Sequence, residues 1–275
     1  MLPETREAAR ILAEAGVASP RHDAEELAAY VLGVSRSRLI LLDRLPAEAA
    51  DRYAALVTER AARVPLQHLT GVAGFRRLEL AVGPGVFVPR PETEVLVGWA
   101  LSVVAPGDLV VDLCAGSGAV ALAVADEAPA VRVHAVELEE HALAWARRNV
   151  ERTGLPVTLH QGDVADPSVL AALDGTVDVV TANPPYIPVG AGVEREVAEH
   201  DPPAALWGGE DGLVTVRAVE RAAARLLRPG GVVGVEHADL QGESVPAVFA
   251  RAGWVEVRDH PDLVGRPRFT TARRV

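Results

Sequence analysis

From residue 108 onward the chain alternates short apolar runs with longer amphipathic stretches, and few architectures accept that pattern. The runs at 109–113, 131–136, 157–160, 177–181, 231–236, 254–259 and 268–273 predict strands, and 118–126, 139–152, 212–228 and 242–251 predict helices. Alternating strands and helices predict an α/β fold with a parallel, doubly wound sheet. The last two strands leave no room for a helix between them, so they should pair as an antiparallel hairpin at the sheet edge. With 275 residues there is room for one large domain, or a medium domain plus a small one. Aromatics are few, so a large core must be built from Ala, Val and Leu.

Residues 1–70 have a helical rhythm instead. In SPRHDAEELAAYVLG, Ser19 suits an N-cap, Pro20 the first helical position and Gly33 the stop. Ala24, Leu27, Ala28, Val31 and Leu32 recur on one face. A further helix starts near Pro46 and carries Tyr53, Leu56, Val57 and Ala61. No titratable cluster appears in this region, which reads as a small bundle that packs or docks. The segment TGVAGFRRLELAVGPGVFVPRPETE, residues 70–94, alternates at Leu78, Leu80 and Val82, turns at GPG and resumes at VFV. It predicts a β-hairpin joining two domains. A helix should follow from about Pro91, with Leu96, Trp99, Ala100 and Val103 on one face. The expected division is a helical domain over 1–70, a hairpin linker over 71–90 and the sheet domain over 91–275.

Several classes are disfavoured. A net charge of −11 argues against broad adhesion to a phosphate backbone. Cys114 is the sole cysteine, so neither a disulfide framework nor a CxxC metal site can form. The eight histidines include no HxxxH or HExxH pair, and no metal is expected. The start MLPETREAARILAEAG does not read as a secretory signal, and no stretch is apolar over 18 residues. A cytoplasmic protein that meets no membrane is the expectation.

The strand ends carry the chemistry. LVVDLCAGSGAVALAVA runs from an apolar strand through Asp112 into the loop Cys114, Ala115, Gly116, Ser117, Gly118 and then a helix. Gly116 and Gly118 let backbone approach a ligand at the switch point of the sheet, although a bare strand–helix turn would use the same glycines. Glu137 ends the next strand, roughly 20 residues on, where an acid accepts hydrogen bonds from both hydroxyls of an adenosine ribose. Its competing role is a helix N-terminal acid, a place that Glu139 and Glu140 already take. Asp163 and Val164 end a third strand, where Asp163 could accept from an adenine amino group or merely cap its loop, and Val164 could cover the ring. A nicotinamide fingerprint would need a third glycine, and small apolar residues flanking Leu122 stand there instead.

TANPPYIP, residues 181–188, then places Asn183, Pro184, Pro185 and Tyr186 directly after an apolar run. Successive prolines forbid a helix and remove backbone donors, leaving a stiff loop with free carbonyls. Asp112, the AGSG loop, Glu137, Asp163 and NPPY together resemble class I S-adenosylmethionine-dependent methyltransferases that methylate planar nitrogens. PLQHLTGVAGF (65–75), VFVPRPETE (86–94), HDPPAALWGGEDGL (200–213) and DLVGRPRFTTAR (262–273) resemble in particular the HemK/PrmC family of protein-(glutamine-N5) methyltransferases. The resemblance spans essentially the whole chain.

It implies a Rossmann-like sheet and S-adenosyl-L-methionine as methyl donor, with S-adenosyl-L-homocysteine as product. Phe87, Asp112, Cys114, Ala115, Gly116, Ser117, Gly118, Glu137, Asp163, Val164 and Asn183 are the implied cofactor contacts, with Arg90 beside Phe87. The implied substrate is the glutamine of the Gly-Gly-Gln motif of class 1 peptide chain release factors, a protein partner docked partly by the helical domain. Asn183, Pro184, Pro185 and Tyr186 would bind it, and Asn183, Pro184 and Tyr186 would be catalytic. The Asn183 side-chain oxygen and the Pro184 carbonyl can accept both N–H groups of a carboxamide, aiming its poorly nucleophilic nitrogen at the methyl carbon. Tyr186 can wall the planar group. Two positions depart from the family pattern: Cys114 stands where a glycine or other small residue is usual, and Val164 where an aromatic is frequent. A glutamine methyltransferase of a large-subunit ribosomal protein, a DNA adenine-N6 methyltransferase and a module that only binds the nucleoside stay open as alternatives.

Overall fold

The computed structural model describes residues 2–250 and 253–275. In chain order it begins with α1 (Pro3–Glu14), α2 (Pro20–Leu32), a 3-10 turn (Arg36–Leu41), α3 (Ala47–Ala61) and α4 (Leu66–Thr70). A hairpin of β1 (Val72–Phe75) and β2 (Leu78–Ala81) follows, then a 3-10 turn (Pro91–Thr93) and α5 (Glu94–Val103). The alternating part is β3 (Leu109–Leu113), α6 (Ala119–Glu127), β4 (Arg132–Glu137), α7 (Glu140–Thr153), β5 (Val157–Gln161) and β6 (Val177–Ala182). After β6 come the short helices α8 (Arg195–His200) and α9 (Pro203–Leu206), then α10 (Val214–Leu226), β7 (Leu227–Glu236), α11 (Ser244–Phe249), β8 (Trp254–Pro261) and β9 (Pro267–Arg274).

The chain forms two compact units, Met1–Val72 with Val193–His200, and Ala73–Gly192 with Asp201–Val275. The smaller is a helical bundle. Ala24, Leu27 and Ala28 of α2 and Tyr53 and Val57 of α3 are buried in its core, with Val31, Leu32, Leu56 and Ala61 packed at the margin. Gly33 ends α2 at φ 65, a left-handed conformation that glycine adopts freely. Ser19 does not cap with its side chain; its carbonyl instead accepts the Asp23 N–H at 3.0 Å.

The larger unit is built on a seven-stranded sheet of order β5-β4-β3-β6-β7-β9-β8. The five strands from β5 to β7 are parallel, and β9 runs antiparallel to both β7 and β8. Strands in such a sheet are buried on both faces, which is why they read as unbroken apolar runs. Val110, Val133 and Val179 pack on one side with Val97 of α5 and Leu122 of α6, while Val111, Val180 and Val233 pack on the other with Val219 of α10 and Phe249 of α11. Chain order reverses beside β3, whose neighbours are β4 and β6, and ligands of open α/β sheets bind outside the strand ends at such a point.

Five expectations need correction. The hairpin strands meet across Arg76 and Arg77, with Arg76 at φ 52, and not across GPG. Val86 and Val88 are buried but form no strand, since Pro84 and Pro89 bracket them and supply no ladder donors. Val103 is 40% exposed, because it lies at the last turn of α5 beyond the sheet's cover. β7 begins at Leu227 rather than 231: Leu227 pairs with Val177, and a bulge absorbs Pro229, Gly230 and Gly231 before Val232 meets Val179. The helix expected over 242–251 spans Ser244–Phe249, and residue 251 lies outside the described residues. No helix among the described residues is long and apolar enough to cross a membrane.

Candidate functional site

Parallel register aligns the strand ends into one rim. Leu113 pairs with Val136 on one side and Ala182 on the other, Val136 with His160, and Ala182 with Val235. The next residue along each strand is Cys114, Glu137, Gln161, Asn183 and Glu236. Two amides and two acids, far apart in sequence, thus share the carboxyl edge of the sheet.

The β3–α6 loop forms one half of the rim. Cys114 has φ 60, a conformation that suits glycine and explains why a small residue belongs there. Burial pushes its thiol well above the usual range. Gly118 begins α6 at φ 82, and a side chain there would press on Leu122 and Ala146. Gly116, also left-handed at φ 57, would meet nothing within 4 Å if it carried a Cβ, so this stretch of backbone faces open space. The Gly116 N–H donates to Glu137 Oε2 at 2.7 Å, and the Glu139 N–H to Oε1 at 2.9 Å. Glu137 is 8% exposed; burial raises its pKa, against the pull of those N–H groups. Its carboxylate is fixed beside the open loop with lone pairs to spare for hydroxyl donors.

Behind it, Asp112 Oδ1 accepts the Thr181 hydroxyl at 2.7 Å across the β3–β6 register, and burial pushes its carboxyl up to about 7. Ala115 and Ser117 are buried, and the Ser117 carbonyl accepts from Asn149 at 3.0 Å. Asp163 is exposed; its Oδ1 takes the Ala165 N–H at 2.8 Å, so one oxygen is spent on its own loop. Val164 is half-buried against the sheet core. Phe87 is half-buried, with the Arg90 guanidinium 4.8 Å from its ring centre. Arg90 also donates to Asp201 at 2.8 Å, which ties the segment carrying Phe87 to the stretch after NPPY.

The other half of the rim is the loop after β6. Asn183 Nδ2 donates to the Thr93 hydroxyl at 3.3 Å. Among the described residues nothing donates to Asn183 Oδ1 or to the Pro184 carbonyl, so both acceptors are free. Tyr186 is half-buried, and its hydroxyl donates to Glu236 Oε1 at 3.4 Å. Burial pushes the Glu236 carboxyl up to about 7, and raises the Tyr186 phenol as well. The loop is braced from behind. Ile187 N–H donates to Leu206 O at 2.9 Å, Gly208 N–H to Ile187 O at 2.8 Å, and Gln241 Nε2 to Tyr186 O at 3.0 Å. A Cβ on Gly208 would lie 2.7 Å from Pro185 O, and one on Gly212 would lie 2.3 Å from Tyr186 O. Gly208 and Gly212 of WGGEDG are therefore set by contact with the NPPY backbone, and Gly209, at φ 89, by Val214.

Asn183, Pro184, Pro185 and Tyr186 are brought to the same edge as Gly116 and Glu137. Sequence reading missed Thr93, Thr181 and Glu236. Glu236 carried the signal that identified Glu137, an acid closing an apolar strand. Thr93 and Thr181 carried none. Among the described residues no group of three metal-ligating side chains occurs.

Comparison with known proteins shows the family. The PrmC N-terminal domain family matches residues 5–71, and the methyltransferase small domain family matches residues 91–200. A release factor glutamine methyltransferase of Streptomyces coelicolor is 56% identical over 281 residues, covering 100% of this chain and 98% of that protein. One from Mycolicibacterium smegmatis is 50% identical, covering 96% of this chain and 94% of that protein. A 4-amino-L-phenylalanine/4-methylamino-L-phenylalanine methyltransferase of Streptomyces pristinaespiralis is 43% identical, covering 88% of this chain and 84% of that protein. Among solved structures, a methyltransferase from Pyrococcus furiosus superposes with a TM-score of 0.54 at 21% identity, covering 82% of this chain and 98% of that one, a likeness of fold.

Proposed function

The chain belongs to the release factor glutamine methyltransferase family, and from that premise we propose that it methylates the side-chain N5 of the Gly-Gly-Gln glutamine of a class 1 release factor. The methyl donor in this reading is S-adenosyl-L-methionine, which supplies an electrophilic methyl group on a sulfonium. The residues fit such a donor: Gly116 opens onto free space, and the Glu137 carboxylate is oriented beside it by two backbone N–H groups. Glu137 would accept from the ribose hydroxyls, Asp163 and Val164 would meet the adenine, and Phe87 would cover the nucleoside.

The observation that carries the proposal is the pair of free acceptors on Asn183 and Pro184 at the switch point. A carboxamide nitrogen has its lone pair delocalised into the carbonyl and attacks poorly. Two acceptors bind its two N–H groups, hold the nitrogen in line, and favour pyramidalisation as charge leaves the lone pair. Tyr186 walls the planar group. The alkylated nitrogen is acidic and gives up a proton without a strong base in contact with it. A substrate of this kind places the reaction in the cytoplasm, with the helical unit available for docking the protein partner.

A second reading follows from the Streptomyces pristinaespiralis relative, whose name gives it a substrate with an aryl amine. That nitrogen is also planar and conjugated, so the same two acceptors would serve it. The deciding experiment incubates the protein and donor separately with release factor, large-subunit ribosomal proteins, duplex DNA and 4-amino-L-phenylalanine. One added methyl on the Gly-Gly-Gln glutamine, located by mass spectrometry, is the expected result. Methylation of the amino acid alone would replace the proposal with the second reading.

A further inference from the structure

Helix α7 starts just beyond Glu137, and one of its faces meets the backbone of two other parts of the rim. His141, Trp145 and Asn149 recur at intervals of four and share that face. Asn149 is fully buried. Its Oδ1 accepts the Ala81 N–H at 2.7 Å, and its Nδ2 donates to the Ala81 and Ser117 carbonyls, each at 3.0 Å. The amide thus exchanges both bonds with Ala81 as a neighbouring strand residue would, and keeps one N–H for the AGSG loop. One turn earlier, the Trp145 indole N–H donates to the Pro84 carbonyl at 3.2 Å, and a Cβ on Gly83 would lie 2.6 Å from the indole ring. A further turn back, a Cβ on Gly85 would lie 3.2 Å from the His141 Cβ. The stripe therefore follows the chain from Ala81 to Gly85, two residues short of Phe87. Val82, Val86 and Val88 of this segment are buried in one cluster with Ala142, and Trp145 packs against it.

We propose that Asn149 and Trp145 are positioning residues of the donor site, which set the AGSG loop and the Phe87 segment in place relative to Glu137. Residues 82–87 belong to no helix or strand, so the path of this segment depends on what it lies against. Asn149 uses both N–H groups and its oxygen, and each bond goes to backbone outside its own helix. A carboxylate there would turn lone pairs toward two carbonyls, and a leucine would leave three backbone groups without this partner. One helix thus begins beside the acid that would take the ribose, and holds both the glycine loop and the segment that would cover the nucleoside. The inference rests on the reading of this half of the rim as the methyl-donor site, and adds the groups that hold its parts together.

The test measures the Kd of S-adenosyl-L-methionine by titration calorimetry, well below the melting transition of each variant, and KM for release factor at saturating donor. Asn149→Leu keeps the branched shape and removes all three bonds, and donor Kd should rise about 10-fold or more, the scale of a misplaced binding group. Asn149→Asp keeps the acceptor but loses both donors, and its Kd should rise by at least as much. Trp145→Ala, at a partly exposed position, should raise Kd about 3- to 10-fold. KM for release factor should stay at the wild-type value in all three, because the hydrogen bonds of these side chains go to Ala81, Pro84 and Ser117 and not to the NPPY loop. A purely structural role would lower the melting temperature and leave the Kd of the folded variant unchanged, and that result overturns the inference. So does a parallel rise in Kd and KM, which is the mark of general loosening. Glu137→Ala is the reference: if it too binds donor as the wild type does, the donor-site reading fails first. Should neither Asn149 variant fold, Trp145→Ala decides alone, and a wild-type Kd in it overturns the inference.

Discussion

Each unit of this protein buries a polar cluster, and the two are built on opposite plans. In the helical unit Arg60 donates to Asp23 at 2.7 Å, to Glu196 at 2.8 Å and to the Val64 carbonyl at 2.9 Å, with Arg63 also 3.5 Å from Glu196. Every charge there has a counter-charge within reach, and the cluster is closed. On the sheet rim Asp112, Glu137 and Glu236 are buried without an ion pair among the described residues. Their partners are hydroxyls and backbone N–H groups, and acceptor capacity is left over. Burying an acid without a cation raises its cost, and a fold keeps such a group where something outside the fold completes it. A closed cluster reads as architecture and an open one as a site.

Breaking the closed cluster gives the largest expected effect. Arg60→Met leaves the buried Asp23 carboxylate without its cation and Glu196 with Arg63 alone, and the helical unit should lose about 3–5 kcal/mol. Urea unfolding followed by circular dichroism measures it; a loss under about 1 kcal/mol would mean that water already reaches these carboxylates and the cluster is not closed. Breaking the open rim at Asn183 should show the reverse signature. Asn183→Ala is expected to lower kcat by about 10²–10³-fold, as when one oriented polar group is removed from a reacting centre. Its unfolding midpoint should stay near that of the wild type, because Asn183 gives the fold only its bond to Thr93. A stability loss as large as that of Arg60→Met would make Asn183 a structural residue.

The difference between the clusters also governs what could be read in the sequence. The sheet was legible because strands buried on both faces announce themselves as apolar runs, and the rim because an acid or amide directly after such a run breaks the pattern. Glu137 and NPPY stood out on those grounds. Thr93 did not, since its partner Asn183 is 90 positions away and a threonine before a helix ordinarily reads as a cap. The closed cluster was wholly hidden. Asp23 and Arg60 look like solvated charges on amphipathic helices, and nothing in the sequence says that Val193–His200 joins the helical unit and brings Glu196 to Arg60, 136 positions away. The glycines of WGGEDG were visible as a motif, but the reason for Gly208 and Gly212 is the Pro185 and Tyr186 carbonyls standing where a Cβ would go.

A smaller effect sharpens the reading of the rim's other half. Glu137→Ala removes an ionised acceptor held by two backbone N–H groups. It should weaken binding of S-adenosyl-L-methionine by about 1.5–3 kcal/mol, roughly 10- to 150-fold in Kd. Titration calorimetry reads this directly. Unchanged affinity would show that the lone pairs of Glu137 serve only its own loop, and the cluster would then count as closed on that side.

The smallest effect concerns pH and separates an open cluster from a merely polar one. Burial pushes the Glu236 carboxyl up to about 7, opposed by the Thr93 and Tyr186 hydroxyls and Arg268, and reinforced by Glu92. In the unfolded chain the same group titrates near 4.5. A folded value above the unfolded one means that the folded state holds the proton more tightly. The contribution of this group to stability is therefore full below the unfolded value and is lost as pH rises through about 7. Glu236→Gln has no such titration. Its melting temperature relative to the wild type should thus rise between about pH 5 and pH 8, by a few degrees at most. A relative melting temperature that is flat across that range, or that falls, would mean Glu236 is already charged and satisfied in the folded protein. The asymmetry between the two clusters would then end at Asp112 and Glu137.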